Sequence, residues 1–168
     1  SIEASSVYFI KLGEKGKWEE ECIDNGILRF GYNATSHEMC LNGDWDGVRK
    51  YWAERRGNGN AATNDTRQIR TYYESGESTV FITFHAGLMY WCQPTGPALL
   101  QDNGEKIRST LHGWSSKSIG GAPLTVDRLS GNLLKVQMYR GTICEVKAAT
   151  YLLQKLNDEV LPQVAAAD

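Results

Sequence analysis

From Val80 to Cys92 apolar side chains fall on both phases of a two-residue period. A two-residue turn at Ala86-Gly87 suits this stretch, because glycine takes positive φ at little cost. That turn pairs His85 with Leu88, Phe84 with Met89, Thr83 with Tyr90 and Ile82 with Trp91. One face then holds Val80, Ile82, Phe84, Met89 and Trp91; the other holds Phe81, Thr83, His85, Leu88, Tyr90 and Cys92. Neither face is polar, so both must be covered. A small, mixed, barrel-like sheet with helices packed outside does this, which predicts an α+β fold.

The flanking pattern supplies the other elements. Val7–Gly13 and Ile27–Tyr32 read as strands. Gly16–Gly26 reads as a short helix, with Trp18, Cys22 and Ile23 at helical spacing and Asn25-Gly26 as its stop. Asp44–Gly57 is a helix with Asp44 at its cap and Trp45, Val48 and Trp52 along one side. A loop, "GNGNAAT", leads into a helix over Thr63–Gly76, capped by Thr63 or Asn64. The sequence "KIRSTLHGW" predicts a strand followed by a Ser/Gly-rich loop, and "LLKVQMYRGTICEV" predicts one or two more strands. A last helix starts at Lys147 and ends at Pro162. The 168 residues form one domain on this reading, with its core over about 7–161.

Composition narrows the class. Charged residues make up 23% and the net charge is −2, which argues against a domain that coats nucleic acid non-specifically. No apolar run reaches the roughly 18 residues of a membrane span, and the N-terminus lacks the basic-then-apolar order of a signal peptide. The four cysteines, Cys22, Cys40, Cys92 and Cys144, are far apart and contain no CxxC pair. They read as reduced, mostly buried thiols of a cytoplasmic protein, without a zinc site.

Signatures of catalysis and of cofactor binding are absent. His37, His85 and His112 fit no metal or nucleophile motif, and no phosphate loop, GxGxxG or GxSxG occurs. The predicted sets of catalytic residues, metal ligands and cofactors are therefore empty. What stands out is aromatic: five Trp and eight Tyr. Trp18, Trp45, Trp52 and Trp91 read as core. Trp114 opens the "GWSSKSIGG" loop and Tyr32 ends a strand, and loops on a rigid scaffold tend to carry binding residues. Rings at strand ends can sandwich a flat base. Arg49, Lys50, Arg55, Arg56, Arg67, Arg70, Arg108 and Lys117 are either a solvated helix surface or a set of phosphate contacts.

The opening "VYFIKLG", helix, "DNGILRFGY" resembles the start of the YTH, EVE and PUA-like domains. "VFITFHAGLMYWCQP" is similar to their central hairpin and "LLKVQMYRGTICEV" to a later strand. The resemblance spans most of residues 7–146. It implies a mixed α/β barrel with an aromatic cage for a modified nucleobase. It also implies a recognition module of a larger, modification-dependent restriction system, with a nuclease or motor domain as partner. Lys11 matches the lysine of the opening strand, as a contact to backbone phosphate. Phe30 or Tyr32 matches the aromatic of the second strand, where the family's tryptophan is missing. Trp91 and Trp114 are candidates for the opposing wall, Asp44 for reading the base's polar edge, and Arg67, Arg70 and Lys117 for holding the backbone. The expected function is recognition of 5-methylcytosine or N6-methyladenine in DNA by base flipping, or of a modified base in RNA. Two alternatives stand beside it: a small metal-dependent nuclease or hydrolase built on His85 or His112, and a protein-interaction module that docks through its last helix.

Overall fold

The computed structural model describes residues 1–159. Six strands form one mixed sheet: β1 (Ser6–Ile10), β2 (Ile27–Phe30), β3 (Thr79–His85), β4 (Leu88–Leu100), β5 (Lys106–Ser115) and β6 (Ile143–Glu145). Their order is β2-β5-β4-β3-β1-β6, and the sheet curls into a half-barrel. Its one parallel pair is β1 with β3; every other neighbour runs antiparallel. The helices are α1 (Glu19–Asn25), α2 (His37–Leu41), α3 (Trp45–Arg56), α4 (Gly59–Glu74), α5 (Gly131–Leu134) and α6 (Ala149–Leu156).

The two apolar faces of the hairpin dictate the layering. Phe81 and Cys92 face a core completed by α3 and α4 through Val48, Trp52, Ile69 and Tyr72. Val80, Ile82 and Met89 face a second core closed by Leu124, Leu133 of α5 and Leu152 and Leu156 of α6. Helices thus cover both sides, as the pattern requires. The β3–β4 register is the one the alternation predicts, from Ile82–Trp91 to His85–Leu88. At the turn, Ala86 has φ 51° and Gly87 φ 79°. An alanine held left-handed costs about 1 kcal/mol or more. Ala86→Asn, which places the favoured Asn-Gly pair in this turn, is therefore expected to raise the melting temperature by about 2–4 °C. Thermal unfolding followed by circular dichroism checks this, and an unchanged or lower midpoint would count against the strain.

Asp44 caps α3 by accepting from the Gly47 amide at 3.0 Å, as predicted. Several elements depart from expectation. The fourth helix starts at Gly59, not Thr63, because Asn58 accepts from the amides of Asn60 and Ala61 and captures the "GNGN" loop as a first turn. Ser36 caps the unpredicted α2 by accepting from Met39. The expected strand over Leu133–Tyr139 is instead α5 and a 3-10 turn, Lys135–Met138. Ser130 caps that segment and Leu133 docks fully buried in the second core, so packing overrides the strand-like pattern. Only Ile143–Glu145 of that stretch is a strand. The predicted end of the last helix at Pro162 lies outside the described residues. No helix among the described residues is long and apolar enough to cross a membrane.

Candidate functional site

At the end of β1 the chain cannot continue straight. Gly13 turns it with φ 81°, and a 3-10 turn, Glu14–Gly16, brings Trp18 back so that its amide donates to the Leu12 carbonyl at 2.9 Å. A β-carbon on Gly13 would lie 2.8 Å from the Trp18 ring, so only glycine lets the indole lie against the turn. Opposite stands the loop Arg140–Thr142. The buried side chain of Gln68 on α4 pins it: its Oε1 accepts from the Thr142 amide at 2.7 Å and the Ile143 amide at 3.0 Å. A β-carbon on Gly141 would meet that same oxygen at 2.8 Å.

Between turn and loop lies a cleft of about 370 Å³, lined by Lys11, Glu14, Lys15, Trp18, Gly31 and Arg140. A second cavity of about 240 Å³ adjoins it through Lys11, Gly13 and Lys15, and is walled by Phe9, Thr83 and Phe84. The Phe9 and Phe84 rings sit 6.0 Å apart. The floor is fixed from below. Lys106 is fully buried and its Nζ donates to the carbonyls of Gly31 at 3.2 Å and Tyr32 at 2.9 Å. Burial pulls the Lys106 pKa below its ordinary value. Glu19 lines the smaller cavity, and its Oε1 lies 2.9 Å from His85 Nδ1.

No family model, curated protein or solved structure matches this chain. The site therefore has to be read from its own chemistry.

The residues predicted for an aromatic cage do not converge. Trp91 pairs with Ser115 across the β4–β5 ladder, so Trp91 and Trp114 project to opposite faces of the sheet. Trp91 packs on the second core and donates from Nε1 to the Lys117 carbonyl at 2.8 Å. Trp114 packs on the first core and donates to the Ile27 carbonyl at 2.8 Å. Tyr32, held at φ 54°, packs at right angles on Trp52 and its hydroxyl donates to Asp65 at 2.8 Å. Asp65 also takes two bonds from Arg56. The three rings are packing elements on two faces, not the walls of one slot. Asp44 is spent on its cap.

The predicted cations divide. Lys11 lines both cavities. Lys117 is exposed at the far side of the sheet, beside Trp91. Arg70 is paired with Glu74 at 2.7 Å. Arg67 bonds Asn64 and the Tyr139 hydroxyl. Arg108 belongs to no surface patch: it is buried and its guanidinium is used on backbone carbonyls. Trp18 and Arg140 were missed. Helical spacing to Cys22 reads Trp18 as core, and it does pack on the first core; the "LGEKGKW" turn, a strand end followed by two glycines and an indole, was the signal that it also lines the cleft. Arg140 carried no signal, since the segment around it reads as strand.

Proposed function

We propose that this domain reads a modified base in a nucleic-acid strand, seating one flipped nucleotide in the cleft between the Gly13–Trp18 turn and the Arg140–Thr142 loop. The observation that carries this reading is the convergence of Lys11, Lys15 and Arg140 on an indole-walled hole, in a chain whose net charge is −2. Three cations against one carboxylate suit a phosphate at the mouth. Trp18, whose ring already carries Lys17 at 5.2 Å and Arg29 at 6.0 Å, is the flat group in the lining against which a base would stack. The cavities lie near the small end of ligand sites, which suits a single base and not an extended cofactor. The phenyl walls of Phe9 and Phe84 give a methyl group an apolar place, worth close to 0.8 kcal/mol per carbon buried.

The strand–helix–strand opening around a curled sheet supports a PUA/YTH-like fold, and Lys11 then stands where that resemblance puts its phosphate contact. 5-Methylcytosine or N6-methyladenine in DNA is the intended base, and a nuclease or motor domain of a restriction system is the partner. The cage itself is relocated from Tyr32, Trp91 and Trp114 to Trp18, Phe9 and Phe84.

Fluorescence anisotropy with methylated and unmethylated DNA and RNA oligonucleotides tests the reading. The methylated DNA should bind tighter, and affinity should fall as salt rises. Lys11→Glu with Arg140→Glu should weaken binding about tenfold or more and lower the salt slope by about 2. Equal affinity for modified and unmodified strands would remove the base-reading part. Binding untouched by the double charge reversal would remove the cleft.

A second reading, a small hydrolase, is favoured by one observation: His85 has in Glu19 the orienting acid that a general base needs, placed at a cavity. Cleavage of a nucleic acid or ester by the chain, lost in His85→Ala, would select it over the binding module.

A further inference from the structure

We infer that the surface between α3 and α4 holds a neighbouring phosphodiester of the same strand, making the ligand a polynucleotide and not a free nucleotide. The inference rests on the reading of the cleft as a nucleotide seat. Helical spacing places Arg67 and Arg70 on one side of α4, and Arg49 of α3 meets them across a cavity of about 270 Å³ that Trp45 also lines. Asp46 is the one carboxylate on its wall.

Among the described residues, three of the nine arginines are held by carboxylates, and buried Arg108 is held by backbone carbonyls. Arg29, Arg56 and Arg70 each touch a carboxylate within 4.0 Å, as structural cations do. Arg49 and Arg67 do not, among the described residues. Neutral acceptors hold them instead. Arg49 donates from Nε to the Thr63 hydroxyl at 2.9 Å and from Nη2 to the Gly59 carbonyl at 3.4 Å. Arg67 donates from Nη2 to Asn64 and to the Tyr139 hydroxyl. Two exposed guanidiniums are thus held in place without a direct carboxylate partner, facing a cavity with Asp46 as its one acid, which suits an incoming anion. Beside them, the Trp45 ring is locked by its Nε1 bond to Glu74 at 3.0 Å and overlain by Arg70 at 5.9 Å. The stacked Trp45–Arg70 pair forms a fixed wall of the cavity, with the guanidinium as its charged part.

Continuity decides the occupant. The Tyr139 hydroxyl that takes the bond from Arg67 belongs to the loop whose next residues, Arg140–Thr142, line the nucleotide cleft. The two cavities have separate linings, but one hydrogen bond and one peptide link them: Arg67 of the second bonds Tyr139, and Arg140, next in the chain, lines the first, so a strand leaving the cleft would pass over Tyr139 to reach Arg67. A lone phosphate or mononucleotide would leave this second set of donors unused.

A length series tests this. Anisotropy is measured for a modified mononucleotide and for oligonucleotides of about six nucleotides carrying the same base. Wild-type protein should bind the longer ligand about tenfold tighter or more, with a steeper salt slope. Arg49→Glu with Arg67→Glu should reduce the longer ligand to the level of the mononucleotide and lower the slope by about 2, and the alanine pair should do so in part. Lys11→Glu should instead weaken both ligands. Wild-type affinity for the longer strand in both arginine pairs would overturn the second site while leaving the cleft standing. No binding of any ligand by wild type would overturn both.

Discussion

Arg108→Ala is expected to lower the melting temperature by about 10 °C, the largest effect of any single substitution considered. The buried guanidinium donates from Nε and Nη2 to the Gly96 carbonyl, at 3.0 and 2.6 Å, and from Nη1 to the carbonyls of Tyr72, at 2.9 Å, and Ser75. Tyr72 and Ser75 lie at the C-terminal end of α4, where carbonyls lack partners within the helix. A strand residue thus caps a helix, and its positive charge suits the negative end of the helix dipole. The Gly96 carbonyl becomes available because the β4–β5 ladder breaks between Thr95 and Leu99. Alanine leaves these acceptors orphaned at about 1–3 kcal/mol each and opens a cavity. Relief from burying a charge offsets part of this, so about 3–5 kcal/mol remains. Methionine, which fills the space but donates nothing, should fall between alanine and wild type. Urea unfolding of the three proteins reads the order, and a methionine variant as stable as wild type would show that the carbonyls need no donor.

Alkaline solution should unfold this protein early. Burial pushes the Cys22 and Cys40 thiols up to about 11 from 9.0. Burial also raises the Tyr32 and Tyr73 hydroxyls above 10.0, with Asp65 adding to the effect on Tyr32. These groups keep their protons in the folded chain while the unfolded chain loses them. The folded state then binds more protons, so stability falls as pH rises from about 9, by about 1.4 kcal/mol per pH unit for each group so divided. Lys106 works the other way. Its folded pKa is depressed below 10.5, so its contribution rises with pH up to that value and then levels. One amine opposes these four groups and three more that burial also holds protonated, Cys92, Cys144 and Tyr72, so the net slope is downward. The urea midpoint should drop steadily between about pH 9 and pH 10.5, and less steeply in a Cys22→Ala, Cys40→Ala double variant. A flat profile over that range would show that these groups ionise as freely inside as outside.

The hairpin was legible because two local facts agree: a turn that glycine permits and flanking apolar runs that pair residue for residue across it. The Asp44 cap was legible because the acid lies three residues before Gly47, whose amide it accepts. The 131–138 segment was not, since its helical form depends on Leu133 finding the second core. Nor was the location of the site. Alternation alone separates neighbouring strand residues, but only the β4–β5 pairing puts Trp91 level with Ser115, and so on the other side of the sheet from Trp114. Lys11 lines the cleft, and only the resemblance of the opening strand singled it out in the sequence. Its companions Trp18 and Arg140 reach it through a tight glycine turn and a loop anchored by a distant glutamine, and neither contact leaves a mark on local sequence.

The position of β1 sets a timetable for synthesis. The first strand made sits inside the sheet, with Ser6 matched to Thr79 at a separation of 73 residues and Tyr8 to Glu145 on its other flank. During translation its β3 flank must wait for about half the chain, and its β6 flank until most of the domain has left the ribosome. Loop closure over such distances slows folding, so nascent chains halted before β6 should be protease-sensitive throughout, and the domain should acquire resistance in one step near the end.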